Sequence, residues 1–202
     1  METIILNENQ IEEAINILKK GGTLAVPTDT VYGLACVFNN ESAIEAVKKA
    51  KNRPNHKPLP MMVSEKRLIK EYAYLNREEE LIVNKLMPGP LTLVLRKKEN
   101  IADFVTNGFD TIAIRIPEDG VMVEILKKIG IPLLVTSANL SGMEAVNTSD
   151  EVLKQLKGRI DGVIFGESDQ RPASTIVSLT DGLKILRSGK ISQEEIERII
   201  GE

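Results

Sequence analysis

Apolar residues recur along the chain in two rhythms. Ile11, Ala14, Ile15 and Leu18 fall three and four apart, one face of a helix that Gly21-Gly22 ends and for which Asn7 is the candidate cap. A second helix runs from Asn40 as cap through Lys51, with Ala43, Ile44, Val47 and Ala50 inward. Further helical runs lie near 65–73, 77–87 and 119–129, and two starts carry capping-box pairs, Thr148 with Glu151 and Ser192 with Glu195. Between them stand short apolar runs read as strands: TIIL (3–6), TLAVP (23–27), PLPMMV (58–63), LTLVL (91–95), TIAIRI (111–116), PLLVT (132–136), GVIF (162–165), TIVSL (175–179) and LKIL (183–186). TIAIRI alternates, with Ile112, Ile114 and Ile116 on one face and Ala113 and Arg115 on the other; PLLVT does not. That contrast predicts a mixed sheet with some strands covered on both sides, in an α/β or α+β fold.

With 42% apolar residues, the 202-residue chain can bury a sizeable core, and no repeat or linker divides it, so one domain over 1–202 is expected. Aromatic residues make up only 3%, without tryptophan, so stacking platforms for single-stranded RNA are scarce. A net charge of −3 argues against a protein whose main task is to coat nucleic acid. A lone cysteine, Cys36, excludes an internal disulfide and a cysteine-rich zinc site. The first residues show no basic leader, and no apolar run reaches about 18 residues. A cytoplasmic protein without a membrane partner is the expectation.

Against this background the polar punctuation stands out. AVPTDTVYGL (25–34) places Thr28, Asp29, Thr30 and Tyr32 directly after a buried strand. KAKNRPNHKPLP (49–60) carries Lys51, Arg53 and Lys57 on a proline-stiffened loop, and residues 48–70 hold eight cations against Glu65 alone. Lys48 and Lys49 read as a solvated helix end answering the helix dipole; Arg53 and Lys57 read as a polyanion site, because clustered cations repel unless an anion lies between them. TSANLSG (136–142) ends a strand in short polar groups, Ser137, Asn139 and Ser141, where open α/β sheets place ligands, although an ordinary turn would look the same. Arg115 is either a surface residue or a carboxylate clamp. PGPLTLVL (88–95) reads as structural, RPASTIVSL offers Ser174 and Thr175, and ILRSG offers Arg187 and Gly189.

Several familiar motifs fail. Gly189-Lys190 lacks the earlier glycine of a phosphate loop and is followed by Ile191, no G-x-G-x-x-G follows a strand, and Ser137 lacks a nucleophile elbow. His56 is the sole histidine, which leaves a multi-histidine metal site out; Cys36 reads as a buried hydrophobe. What remains is cations, hydroxyls and amides, an inventory suited to nucleotidyl or phosphoryl transfer by positioning and charge stabilisation.

PTDTVYGL, KNRPNHKPLP, PGPLTLVL, AIRIP, TSANLSG, PASTIV and ILRSG, in this order, resemble the YrdC-like family of threonylcarbamoyl-AMP synthases over residues 10–190. The resemblance implies a twisted mixed sheet with flanking helices around a large, basic, concave cavity. It implies formation of threonylcarbamoyl-AMP and pyrophosphate from L-threonine, bicarbonate or CO2, and ATP with Mg²⁺. The product would feed threonylcarbamoyladenosine modification of tRNAs reading codons that begin with A, through tRNA threonylcarbamoyl-transferase proteins. Residue by residue, it implies threonine contacts from Thr30, Tyr32, Arg115, Val135 and Ser174. Lys51 and Arg53 would be catalytic and, with Lys57, Ser137, Asn139 and Arg187, would hold ATP; Ser137 and Asn139 are the metal candidates. Longer members carry a histidine where Met62 stands here and add a C-terminal domain for which this chain has no room. Two rivals fit the same residues: a module that binds double-stranded RNA or tRNA without catalysis, and a carbamoyl transferase of the hydrogenase-maturation kind, whose zinc-finger and acylphosphatase segments are not seen.

Overall fold

The computed structural model describes residues 2–169 and 172–202. Among them ten strands form one sheet: β1 (Ile4–Leu6), β2 (Leu24–Val26), β3 (Gly33–Val37), β4 (Met61–Met62), β5 (Leu91–Arg96), β6 (Thr111–Arg115), β7 (Leu133–Ser137), β8 (Gly162–Ile164), β9 (Thr175–Ser178) and β10 (Lys184–Arg187). Eight helices accompany it: α1 (Ile11–Lys19), α2 (Glu41–Lys51), α3 (Lys66–Tyr72), α4 (Arg77–Leu86), α5 (Asp103–Thr106), α6 (Gly120–Ile129), α7 (Ser149–Leu156) and α8 (Gln193–Ile200). The strand order is β1-β8-β2-β3-β7-β4-β6-β5-β9-β10. Pairs β1/β8, β2/β8, β4/β6 and β5/β9 are parallel, and the remaining pairs are antiparallel, so the sheet is mixed as expected.

Alternation along each strand sorts the core into two. One face collects Ala25, Leu34, Cys36, Met61, Leu91, Leu93, Ile112, Ile114, Leu134 and Val177 in the larger cluster, with residues of α2, α3, α4 and α8. The opposite face collects Leu24, Val26, Ala35, Met62, Leu133 and Val135 with α1 and α6. Burying each Leu, Ile or Val contributes roughly 1.5–3 kcal/mol, which is why the period-two pattern fixes which way every strand faces. Because α1 and α6 pack on each other and α1 on β2, β3 and β8, they roof one half of that second face. On β4, β5, β6 and β9 the same face presents Met62, Thr92, Arg115 and Ile176, and there the cavity described below opens.

Local chemistry explains most boundaries. Asn40 Oδ1 accepts from Ala43 N at 3.0 Å, a cap worth about 1 kcal/mol, and Asn52 closes α2 in the left-handed region at φ 52°. Thr148 and Glu151 form the reciprocal capping box. Ser192 accepts from Glu195 N, half of the expected box. An additional box, Asn76 with Glu79, starts α4. The cap proposed at Asn7 is displaced: α1 begins after Gln10, and Asn7 forms a turn with it, its N–H donating to Gln10 Oε1 at 2.9 Å. GLACV (33–37), of which only Gly33 and Leu34 entered the sequence reading as the end of the polar motif, is a buried strand near the centre of the sheet. Lys48 is not a solvated helix end either; it is buried and donates to Glu45 and to Asn107 Oδ1.

Candidate active site

The cavity on the open half of the sheet encloses about 150 Å³. Its floor is built by period-two residues of adjacent strands, Met62, Thr92, Arg115, Val135 and Ile176, each interleaved with core residues that point the other way. The turn between β2 and β3 supplies one wall through Thr28, Thr30, Val31, Tyr32 and Gly33; Ser137, Ala173, Ser174, Arg53 and Arg187 complete it. Gly33 is required by close approach, since a Cβ there would lie 2.6 Å from Val135 Cγ1. Gly189 lets the chain after β10 pass close to Ser174 and Thr175, where a Cβ would meet Thr175 N at 2.4 Å.

Three guanidinium groups converge on this space. Arg115, 4% exposed, donates from Nη2 to Asp29 Oδ2 at 2.7 Å, from Nη1 to Thr30 Oγ1 at 2.9 Å and from Nε to the Gly89 carbonyl at 3.2 Å. Arg187 donates from Nε to Ser174 O and from Nη2 to Ser174 Oγ, both at 2.9 Å, and Ser174 Oγ lies 2.8 Å from Thr92 Oγ1. Arg53 is held by its own loop, donating to the carbonyls of Lys57 at 3.1 Å and Pro58 at 2.8 Å. Burial pulls all three below the usual guanidinium range; for Arg187 the charges of Arg115 and Arg53 push the same way, and for Arg115 the Asp29 carboxylate opposes the shift. Arginine stays protonated regardless, so the cavity carries concentrated positive charge with one directly paired carboxylate among the described residues, Asp29.

Of the residues singled out in the sequence, the structure brings Thr30, Tyr32, Arg53, Arg115, Val135, Ser137, Ser174 and Arg187 to one cavity. Lys51, Lys57 and Asn139 are not among its lining. Lys57 is exposed at the loop's outer side. Lys51 is buried, its ammonium donating to the carbonyls of Ser137 and Asn139, while its own carbonyl accepts from Ser141 N at 2.8 Å. Burial, with Arg53 adding to the effect, lowers Lys51 to about 7. It therefore stitches the end of α2 to the turn after β7. Asn139 donates to the carbonyls of Leu140 and Met143, and its Oδ1 is buried without a partner among the described residues. Tyr32 spends its hydroxyl on the Ile164 carbonyl at 3.0 Å and so offers the cavity its ring; Val135 spends its N–H on Pro60. His56 and Cys36 stay apart from the site, the thiol buried and pushed up to about 12.

Two participants escaped the sequence reading. Thr92 is a buried hydroxyl between Leu91 and Leu93, and a polar residue at an alternate position of an otherwise apolar strand is the signal that could have found it. Asp29 sits in the opening motif but was not matched to Arg115, 86 residues away, which no local pattern announces.

Comparison with known proteins adds four findings. The family model for Sua5, YciO and YrdC, described as telomere recombination, matches residues 16–189. A putative threonylcarbamoyl-AMP synthase of Methanocaldococcus jannaschii is 37% identical over 96% of this chain and 94% of its own length. A threonylcarbamoyl-AMP synthase of Bacillus subtilis is 33% identical over 96% of this chain but only 58% of its own length. Among solved structures, Sua5 of Pyrococcus abyssi complexed with L-threonine superposes with a TM-score of 0.93 at 33% identity, covering 99% of this chain and 62% of that one. The chain thus spans about three-fifths of the length of the latter two relatives.

Proposed function

The chain belongs to the Sua5, YciO and YrdC family, and from that premise we propose that it is an L-threonylcarbamoyladenylate synthase, a nucleotidyltransferase. The supporting observation is the convergence of Arg53, Arg115 and Arg187 on one cavity whose other polar groups are hydroxyls. Threonine's amine takes up CO2 as a carbamate, a carbamate oxygen attacks the α-phosphorus of ATP, and pyrophosphate leaves with the electron pair of the broken P–O bond. No side chain has to act as a nucleophile, which matches a cavity without cysteine, histidine or an elbow serine.

Each residue has a task in this reading. Arg115 retains N–H groups beyond its three internal bonds and would pair with the amino-acid carboxylate, a planar match that lysine lacks. Thr30 and Ser174 contact the rest of the amino acid, with the Tyr32 ring and Val135 as walls. Arg53 and Arg187 neutralise the charge that grows on the phosphoryl oxygens and the departing pyrophosphate. Lys57 extends the positive surface outward, and Lys51 acts by fixing the Ser137–Asn139 turn beside the nucleotide. Mg²⁺ would enter on ATP: no cluster of three carboxylate, histidine or cysteine groups capable of holding a resident ion exists among the described residues, and the oxygen of Ser137 with Asn139 Oδ1, which has no partner among the described residues, would fit an ion that keeps most of its ligands from phosphate and water. It would supply further charge neutralisation on the phosphates.

The product is labile and would pass to tRNA threonylcarbamoyl-transferase proteins. Among the described residues no helix is long and apolar enough to cross a membrane. The test is to incubate the purified chain with ATP, Mg²⁺, bicarbonate and L-threonine, omit each in turn, and follow the adenylate and pyrophosphate by mass. Both products must require all four; pyrophosphate that forms without threonine, or carbamoyl phosphate serving in place of bicarbonate and ATP, rejects the proposal.

A further inference from the structure

The hydroxyl network beneath Arg115 fixes the direction of its protons. Thr28 Oγ1 lies 2.7 Å from the Val31 carbonyl, which can only accept, so the single hydroxyl proton of Thr28 goes there. Thr28 Oγ1 also accepts from Thr30 N at 3.2 Å. The 3.1 Å contact between the two hydroxyls can then have only one donor, Thr30. Thr30 Oγ1 in turn accepts from Arg115 Nη1. Its proton is used inward and one lone pair is used by arginine, which leaves one lone pair and no proton for anything in the cavity.

We infer that Thr28 is a specificity-determining residue of this site: by taking the proton of Thr30, it makes Thr30 an obligate acceptor, so the cavity selects a small molecule that presents a hydroxyl or amine donor there and rejects one with an isosteric methyl. A carboxylate or carbonyl oxygen at that position would face oxygen lone pairs. A methyl would leave the remaining lone pair of the buried Thr30 Oγ1 without a donor, and sites built to bond a ligand hydroxyl discriminate against analogues that lack it. Arg115 contributes twice, by its charge and by orienting the same hydroxyl. The inference rests on the amino-acid reading of the cavity given above, and it adds to that reading which group is read and by what polarity.

The network makes opposite demands on two substitutions. Thr28→Val keeps the shape but frees the Thr30 proton to turn toward the cavity, whereas Thr28→Ser keeps the acceptor. Calorimetric binding of L-threonine, L-serine and L-valine to the wild type, Thr28→Val, Thr28→Ser and Thr30→Val is measured beside pyrophosphate release. The wild type should favour threonine over valine by at least about 100-fold. Thr28→Val should lower that ratio about tenfold or more through weaker threonine binding, with the ATP KM unchanged, and Thr28→Ser should keep it. A wild-type ratio in Thr28→Val, or a wild type that binds valine as well as threonine, overturns the inference. If circular dichroism shows that Thr28→Val does not fold, the other two variants decide: discrimination lost in Thr30→Val and kept in Thr28→Ser supports it, and the reverse pattern overturns it. Discrimination by calorimetry in a wild type that releases no pyrophosphate supports this assignment and removes the proposed reaction.

Discussion

A groove of about 700 Å³ around Tyr74 and the cavity of about 150 Å³ at Arg115 both gather three cations, yet only the smaller one has the character of a reaction site. In the groove Arg96, Lys97 and Lys98 are balanced by Glu79, Glu99 and Asp110. Arg96 and Lys98 lie 5.7 and 5.5 Å from the Tyr74 ring centroid, the Tyr74 hydroxyl donates to Glu99 at 2.7 Å, and Lys97 pairs with Asp103 at 2.6 Å. Cations and carboxylates are equal in number there, three of each. Among the described residues the three guanidinium groups of the cavity have one directly paired carboxylate and otherwise rest on neutral carbonyls and hydroxyls. Room alone does not mark a site; three guanidinium groups gathered in a partly desolvated space do.

The sharpest way to break this contrast is Arg115→Ala. It leaves Asp29, whose side chain has no exposure and whose Oδ1 has no partner among the described residues, as a buried charge without its arginine. Removing one partner of such a pair costs about 3–5 kcal/mol, so urea unfolding should show a large fall in stability along with loss of threonine binding. A variant as stable as the wild type would mean that the ion pair does not organise the cavity. Arg53→Ala and Arg187→Ala, whose partners are neutral, should spare folding while lowering turnover at least about tenfold. Arg96→Ala in the groove should leave turnover unchanged.

How much of this was legible beforehand follows from the range of each interaction. Strand faces could be read because burial enforces a two-residue period: TIAIRI put Arg115 opposite Ile112 and Ile114 before any coordinates did. Helix starts with capping partners three residues apart were legible for the same reason, whereas Asn7 was misplaced because a turn and a cap use the same residue types. GLACV was overlooked since its polar neighbours dominate the local pattern, and its pairing with β7 joins residues about a hundred positions apart. The Arg115–Asp29 pair and the Lys51 stitch are long-range too. Sequence reports charge, not direction: it offered Lys51 as a phosphate ligand and could not show that its ammonium meets the main-chain carbonyls of Ser137 and Asn139.

That direction gives a smaller, pH-dependent prediction. The unfolded chain keeps the Lys51 proton to about 10.5, and the folded chain releases it near 7. Between these values the unfolded state binds more protons, so this group makes stability rise with pH. Cys36 acts oppositely only above its ordinary value of 9.0, where the unfolded thiol ionises first. Between pH 7 and 9 the wild type should therefore gain on Lys51→Met by about 1–2 kcal/mol, less than the full shift because the two carbonyls favour the ammonium. Parallel stability profiles for the two proteins would show that Lys51 keeps its proton in the fold.

The smallest effect is expected in the groove, and its smallness is what the comparison requires. Tyr74 is 43% exposed, so Tyr74→Phe removes one water-accessible hydrogen bond to Glu99 while keeping the ring under Arg96 and Lys98. Exposed charge contacts are weakened by solvent and salt, so the unfolding midpoint should scarcely move and should move less still at high ionic strength. Turnover and the threonine-to-valine ratio should both match the wild type. A clear loss of pyrophosphate release in Tyr74→Phe would mean that balanced charges can still take part in the reaction, and the groove would then have to be counted within the working surface of the enzyme.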